Sequence, residues 1–288
     1  MTISPIAAAD RLSLPVVETF HSLQGEGLHA GRSAFFLRLA GCGVGCPWCD
    51  TRHSWELEDH PRQSLQDLAA EVAAAAAAGA AFAVVTGGEP LEHDLGPLCA
   101  ALHQASGGLP LHLETSGAAP LQLSGRFAWI TLSPKRHRPP SPELLAACDE
   151  LKVVVHESAD LAFAEAMAEQ VMAERALAAQ AAAAQPVAAR LESAARSTGA
   201  TGRANDGGLS DSGAASVGRA VLDPSLTQAG PVAAAPEAAA PAAEPQGPAL
   251  LLQPGWNCRR GQELAIDFVR AHPAWRLSLQ SHKWLGVR

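Results

Sequence analysis

Short apolar runs alternate with stretches of helical periodicity along most of this chain. Ser33–Leu39 (SAFFLRL) is an apolar run interrupted by one arginine and reads as a buried strand. Ser64–Ala78 predicts a helix, with Ser64 as its cap and Asp67 in its first turn. The alternation continues with Ala81–Val85 (AFAVV) as strand, Asp94–Ala105 as helix, Leu109–Leu113 and Phe127–Leu132 as strands, and Glu143–Cys148 as a short helix. Leu151–Val155 (LKVVV) predicts a strand, and Ser158 opens another helix. Further on come Ala249–Gln253 as strand, Gln262–Ala271 as helix and Trp275–Leu279 as a last strand. Strands alternating with helices imply right-handed crossovers and a parallel sheet. In such sheets chemistry collects at the C-terminal strand ends, so the strand tails are where a site is expected.

The pattern lapses between Phe163 and Trp256, where 92 residues contain no Phe, Trp or Tyr. From about Met172 to Pro248 the chain is mostly Ala, Gly, Pro and Ser, too poor in large side chains to offset its conformational entropy. It reads as a long disordered Ala/Gly/Pro-rich insertion, although the part up to about Arg196 has the composition to extend a helix. Residues 1–172 and 249–288 then make one α/β domain with a small core, and 173–248 interrupt it. The net charge of −8 argues against general nucleic-acid binding, which relies on phosphate neutralisation. No apolar run approaches the ~18 residues that span a bilayer. The N-terminus lacks the marks of a secretory signal, so a soluble cytoplasmic protein is expected, with no membrane partner.

The strand tails are polar and glycine-rich. The first carries Cys42, Cys46 and Cys49, the second Thr86-Gly87-Gly88-Glu89-Pro90, the third Glu114-Thr115-Ser116-Gly117 and the fourth Ser133-Pro134-Lys135. Gln253-Pro254-Gly255-Trp256 and Gln280-Ser281-His282-Lys283-Trp284 follow the later strands. Three cysteines on one Gly-rich loop of a cytosolic chain point to metal rather than to disulfides. Spacing alone leaves two readings open. With His53 as a fourth ligand they would close a tetrahedral zinc site; alternatively, three thiolates would hold a four-iron cluster with one iron left open.

The C-x3-C-x-aromatic-C pattern, with Trp48 as the aromatic, followed by the GGE of Gly87–Glu89 after the next strand, resembles the radical S-adenosylmethionine (SAM) superfamily. Glu18–Gly27 (ETFHSLQGEG), Phe36–Gly41, Cys49–Trp55, Leu113–Gly117, Ser133–Lys135, Glu150–Val154 and Ser278–Arg288 narrow this to a resemblance to the 7-carboxy-7-deazaguanine synthase family. The resemblance runs over about Pro15–Met172 and Ala249–Arg288 and leaves out the Ala-rich stretch. It implies a partial, open TIM-like parallel β/α barrel. The implied activity is a radical SAM carbon–nitrogen lyase, in which a 5′-deoxyadenosyl radical abstracts hydrogen from C6 of 6-carboxy-5,6,7,8-tetrahydropterin. The ring contracts, ammonia is lost and 7-carboxy-7-deazaguanine forms on the route to queuosine and related 7-deazapurines. A [4Fe-4S] cluster, SAM and Mg2+ are the implied cofactors. A homodimer, and an electron donor such as flavodoxin or ferredoxin, are the implied partners.

The resemblance also distributes roles. Cys42, Cys46 and Cys49 would hold the cluster and Thr51 the Mg2+. Leu23, Gln24, Gly25, Glu26, Arg38, Thr86, His282 and Arg288 would meet the substrate, Arg38 through its carboxylate and Arg288 through a terminal carboxylate. Trp48, Gly88, Glu89, Ser133, Pro134, Lys135, Gln253, Pro254 and Gly255 would border SAM. Two other readings stand beside this one. A different radical SAM enzyme, such as a glycyl-radical enzyme activase, would share the cysteines and GGEP but not the Gln24–Gly27 loop. A non-catalytic zinc module would use His53.

Overall fold

The computed structural model describes residues 12–119, 126–184 and 247–288. Residues 1–183 and 245–288 form one compact unit; the other comprises 184–244, and all of it past Ala184 lies outside the described residues. So does the expected helical stretch from 185 to Arg196 and the rest of the predicted insertion up to 246.

Among the described residues nine strands form one sheet: β1 (Ser13–Leu23), β2 (Ser33–Leu39), β3 (Arg62–Ser64), β4 (Phe82–Gly87), β5 (Leu111–Thr115), β6 (Trp129–Leu132), β7 (Glu150–Val155), β8 (Ala249–Pro254) and β9 (Trp275–Leu277). Their order is β3-β1-β2-β4-β5-β6-β7-β8-β9, so β3 and β9 are edges and the barrel stays open. Every pairing from β2 to β9 is parallel, as the alternation predicted. The crossovers carry α1 (Leu65–Ala77), α2 (Gly96–Ala105), α3 (Pro142–Ala147), α4 (Ser158–Ala184) and α5 (Arg259–Ala271), and a one-turn helix, α6 (Ser281–Leu285), follows β9. Ser64 caps α1 by accepting from the Asp67 N–H at 3.1 Å.

The period of two along each strand sorts side chains between two faces. Phe35, Leu37 and Leu39 of β2, Ala83 and Val85 of β4, and Leu151, Val153 and Val155 of β7 join the large core packed under the helices. Their neighbours face inward. Ala34, Phe36, Phe82 and Val84 form a smaller inner cluster. Above it, on the same parity, stand Arg38, Thr86, Glu114, Thr131 and Lys152, which line the cavity described below. Five strands thus bring polar groups to one inner face.

Two expectations change and one open reading resolves. β1 was not anticipated and pairs antiparallel with both β2 and β3. Pro15 and the polar Glu18, Thr19, His21 and Ser22 disguise it, and only an edge-proximal strand tolerates a proline there. Residues 173–184, placed in the insertion but with a composition that allowed a helical extension, do continue α4, because Ala, Glu and Arg sustain a helix begun on the buried Ala164, Met167 and Val171. The last strand ends at Leu277 rather than Leu279, and the chain then turns into α6. No described helix is long and apolar enough to cross a membrane.

Candidate active site

The strand tails surround a cavity of about 700 Å3. Cys42, Cys46 and Cys49, on the loop after β2, all line it. Backbone bonds, not sulfur, shape this loop: the Gly41 N–H donates to Ser54 O (2.8 Å), Cys42 N–H to Trp55 O (3.3 Å) and Cys49 N–H to Cys46 O (3.1 Å). The GGEP turn after β4 lies directly against it, with Gly88 N–H donating to Leu39 O (2.9 Å) and Glu89 N–H to Gly41 O (2.8 Å). A Cβ on Gly88 would sit 2.1 Å from Gly41 O and 2.9 Å from Cys42 Cβ, so only glycine permits this approach.

These residues fit an iron–sulfur cluster better than a single metal ion. The described residues contain no set of three His, Cys, Asp or Glu placed to hold one ion. His53, the fourth ligand of the zinc reading, is exposed on a 3-10 turn, and His60 hydrogen-bonds its carbonyl at 2.6 Å. The three thiols instead ring the wall of a cavity wide enough for a larger group. Burial pushes the Cys42 and Cys46 thiols up; backbone N–H groups of Val44 and Gly45 work against this at Cys42, as Lys135 does at Cys46. Thiolates there need the positive charge that iron supplies.

Trp48, Gly88, Ser133, Lys135, Gln253, Pro254 and Gly255 share this wall. Lys135 Nζ donates to the backbone oxygen and to Oγ of Ser133, both at 2.8 Å, and burial lowers its pKa. Pro134 and Glu89 lie behind the wall. The Glu89 carboxylate is spent: Oε1 accepts from Thr115 Oγ1 (2.5 Å) and Leu91 N–H (3.1 Å), and Oε2 accepts from the N–H (2.8 Å) and hydroxyl of Ser116. It braces the GGEP turn against the β5 tail.

The cavity lining is also highly charged. Arg38 gives its Nε–H to Glu18 Oε1 at 3.0 Å, and Arg288 reaches the second oxygen of Glu18 at 3.3 Å. The main-chain oxygen of Arg288 accepts from Ser22 Oγ at 2.6 Å. Glu114 accepts from Gln24 Nε2 and Thr86 Oγ1, both at 3.0 Å. Lys152 Nζ meets Glu26 Oε2 at 2.5 Å, and Gln253 (3.0 Å) and Gln280 (2.9 Å) donate to the same carboxylate. Burial pushes the Glu26 carboxyl up, but Lys152 and the two amides outweigh it, and its pKa falls to about 2. The tail is stitched on as well: the Ser281 N–H and hydroxyl both reach Gly25 O at 2.9 Å, and His282 packs on Gly25. Leu23 and Thr51 also line the cavity, and Thr51 Oγ1 lies 3.5 Å from Cys49 Sγ. Asp50 is held by Lys283 at 2.5 Å.

Sequence reasoning gave no role to Glu18, Glu114, Thr131 or Lys152, all on the cavity wall, although the first, second and last lie in stretches it singled out. Glu114 and Lys152 had a signal: each is an ionisable residue inside an apolar strand, at the parity facing away from the helices.

A parallel open barrel that gathers three loop cysteines, an abutting GGEP turn and a large cavity at its strand ends defines a radical SAM protein, and residues 37–133 match the Radical SAM superfamily. The chain is 43% identical over 279 residues to the 7-carboxy-7-deazaguanine synthase of Prochlorococcus marinus, covering 95% of this chain and 98% of that protein. It is 36% identical over 288 residues to that of Synechocystis sp., covering 100% of both. The crystal structure of QueE from Escherichia coli is similar, with a TM-score of 0.58 and 25% identity, over 98% of this chain and 100% of that one. The chain belongs to the 7-carboxy-7-deazaguanine synthase family. The Synechocystis alignment runs through the Ala-rich stretch, which the resemblance in the sequence had left out. The match to the Escherichia coli synthase, 34% identical, covers only 55% of this chain and 78% of that protein.

Proposed function

We propose that this chain converts 6-carboxy-5,6,7,8-tetrahydropterin to 7-carboxy-7-deazaguanine with loss of ammonia, using a [4Fe-4S] cluster on Cys42, Cys46 and Cys49, SAM and Mg2+. One observation carries the reading: a single cavity is lined both by three thiols and by Arg38, Glu114 and Lys152. That is the pairing a radical SAM enzyme with a small, anionic, hydrogen-bonding substrate needs. The cluster, when bound, supplies the electron that cleaves SAM. Arg38 holds the substrate carboxylate; because Glu18 takes its Nε–H, the guanidinium plane is fixed and its other N–H groups are free to pair. Gln24 and Thr86, both anchored to Glu114, present the polar edge of the site to the heterocycle. Gly25 brings backbone close to it, while Glu26 and Lys152 brace the loop from below. His282 and Arg288 close the tail side, and the SAM side falls to Trp48, Gly88, Ser133, Lys135 and the Gln253–Gly255 turn.

The same reading takes residues 1–172 and 249–288 as one catalytic domain, with α4 carried on to Ala184 before the insertion. It places the protein in the cytoplasm as a homodimer that draws electrons from a flavodoxin- or ferredoxin-like donor. The test is direct: anaerobic protein with reconstituted cluster, incubated with the tetrahydropterin, SAM, reductant and Mg2+, should release a deazapurine and ammonia. A fully clustered protein that cleaves SAM but forms no deazapurine would refute the substrate.

Thr51 serves as the proposed Mg2+ ligand, since Mg2+ takes oxygen donors and keeps water and substrate oxygens around it. Thr51→Ala is expected to raise the Mg2+ concentration for half-maximal turnover about tenfold, roughly the effect of one lost ligand hydrogen-bond equivalent, with unchanged iron content. An unaltered Mg2+ titration would remove Thr51 from the site.

A further inference from the structure

The sheet is open, and among the described pairings its edge over residues 18–23 is β1 itself, because β3 pairs only with Ser13, Leu14 and Pro15. Residues 280–288, which follow β9, bridge from that end of the sheet back to β1. They are pinned at three places. Gln280 Nε2 donates to Glu26 at 2.9 Å, and the Ser281 N–H and hydroxyl both donate to Gly25 O at 2.9 Å. Lys283 Nζ pairs with Asp50 Oδ2 at 2.5 Å and lies 5.0 Å from the centre of the Trp256 ring. Arg288 then lands on β1. Its guanidinium reaches Glu18 Oε2 at 3.3 Å and lies 5.7 Å from the Phe20 ring centre, and its main-chain oxygen accepts from Ser22 Oγ at 2.6 Å. Glu18, Phe20 and Ser22 alternate along the strand, so they share one face. Gln280, His282, Lys283 and Arg288 all border the cavity.

What holds this segment differs from what holds the rest of the wall. β2, β4, β5 and β7 carry core side chains. The N–H groups of Gly88, Ser133 and Gly255 tie three strand tails to Leu39 O (2.9 Å), Thr115 O (2.8 Å) and Val155 O (2.9 Å). α6, by contrast, buries no side chain, and its Trp284 and Leu285 are exposed. Its attachments are polar, and two of the three include an ion pair open to solvent: the side chain of Asp50 is 54% exposed and that of Arg288 71%. Pairs of that kind hold weakly. A segment with few buried apolar contacts is also the first to open.

We propose that residues 280–288 are a strap over the cavity that lifts to admit the substrate, and that Lys283 is the positioning residue that latches it shut. Lys283 suits the role because its side chain is the less exposed of the two cations, at 17%, and is held by a ring as well as a carboxylate. Asp50 stands between Cys49 and Thr51, so the latch ties the closed strap to the cysteine loop. The identity of what enters rests on the function proposed above; the strap itself does not.

The test reads motion and binding rather than turnover. In full-length, cluster-loaded protein without pterin, the backbone amides of 282–288 should exchange hydrogen faster than those of β7 and β8. Lys283→Met should speed them about fivefold, the effect of losing one part-exposed ion pair, and leave β7 and β8 unchanged. The second readout is 6-carboxypterin, the oxidised, unreactive and fluorescent form of the substrate, mixed by stopped flow with SAM and Mg2+ present. Lys283→Met should raise both its association and its dissociation rate, because the strap is open more of the time. Loss of a merely structural contact would not speed association. Lys283→Arg, which keeps the charge, should restore both rates. Wild-type amides at 282–288 that exchange as slowly as those of β8, or a Lys283→Met variant with wild-type exchange and association, overturn the proposal. Should Lys283→Met not fold, Asp50→Asn breaks the same pair from its other partner and is judged by the same two readouts. If 6-carboxypterin does not bind wild type, the substrate reading fails instead, and the exchange measurement, which needs no pterin, still judges the strap.

Discussion

Cys46→Ala is expected to abolish turnover, by a factor on the order of a thousand or more, and to yield protein that retains little of its iron and loses the brown absorbance bleached by dithionite. The reason is geometric. All three thiols face one cavity, and with one removed the remaining pair cannot enclose a cluster that keeps a single iron open. Cys42→Ala and Cys49→Ala should behave alike. The chain itself should survive, because the loop is anchored by the Gly41–Ser54 and Cys42–Trp55 backbone bonds and by the GGEP turn, none of which involves sulfur. Cys99→Ala is the internal control. That thiol is buried in α2, where burial pushes its pKa up to about 12, so it is an inert core group, and its loss should cost about 1 kcal/mol of stability and no iron. The check is iron per chain together with the visible spectrum of anaerobically purified variants. Full iron in Cys46→Ala would mean that some other side chain completes the tripod.

Most of the site was legible because its motifs are local. The cysteines, GGEP and SPK each end a strand, and a strand's C-terminal end in a parallel sheet is where ligands bind. The remainder was hidden for two physical reasons. β1 carries Glu18 and Phe20 into the cavity, yet its proline and polar run look like a loop until β2 and β3 are seen to flank it. Tertiary pairing overrode local propensity. Second, hydrogen-bond commitment is invisible in one dimension. Glu89 stands in the motif expected to border SAM, but only the fold shows its oxygens used up by Thr115, Ser116 and Leu91. For Lys152 the sequence shows an ionisable residue inside an apolar strand, but not its partner: only the fold brings the loop after β1 over β7 and sets Glu26 on its ammonium.

Lys152 and Glu26 make the second large effect, and it is on stability as well as function. Glu26→Gln is expected to lower the thermal midpoint of the clustered enzyme at pH 7 by about 10 °C, corresponding to about 3 kcal/mol for a domain of this size. The size follows from the carboxyl's fall from an ordinary 4.5 to about 2. Because the folded value is the lower one, the stabilisation is fully present above pH 4.5 and drains away as pH falls toward 2. The gap between variant and wild type should therefore close across that window, which a merely steric effect of the amide would not do. Lys152→Met should cost more than Glu26→Gln. Burial disfavours the ammonium, yet Glu26, Glu114 and Glu150 together raise its pKa, so removing it leaves three carboxylates facing one another. Function should follow in the same order. Glu26 also receives Gln253 and Gln280, so its loss frees the Leu23–Glu26 loop from β8 and from the segment leading into α6, raising the KM for the pterin more than that for SAM. A Lys152→Met enzyme as stable as wild type would show that the charged floor is incidental to the fold.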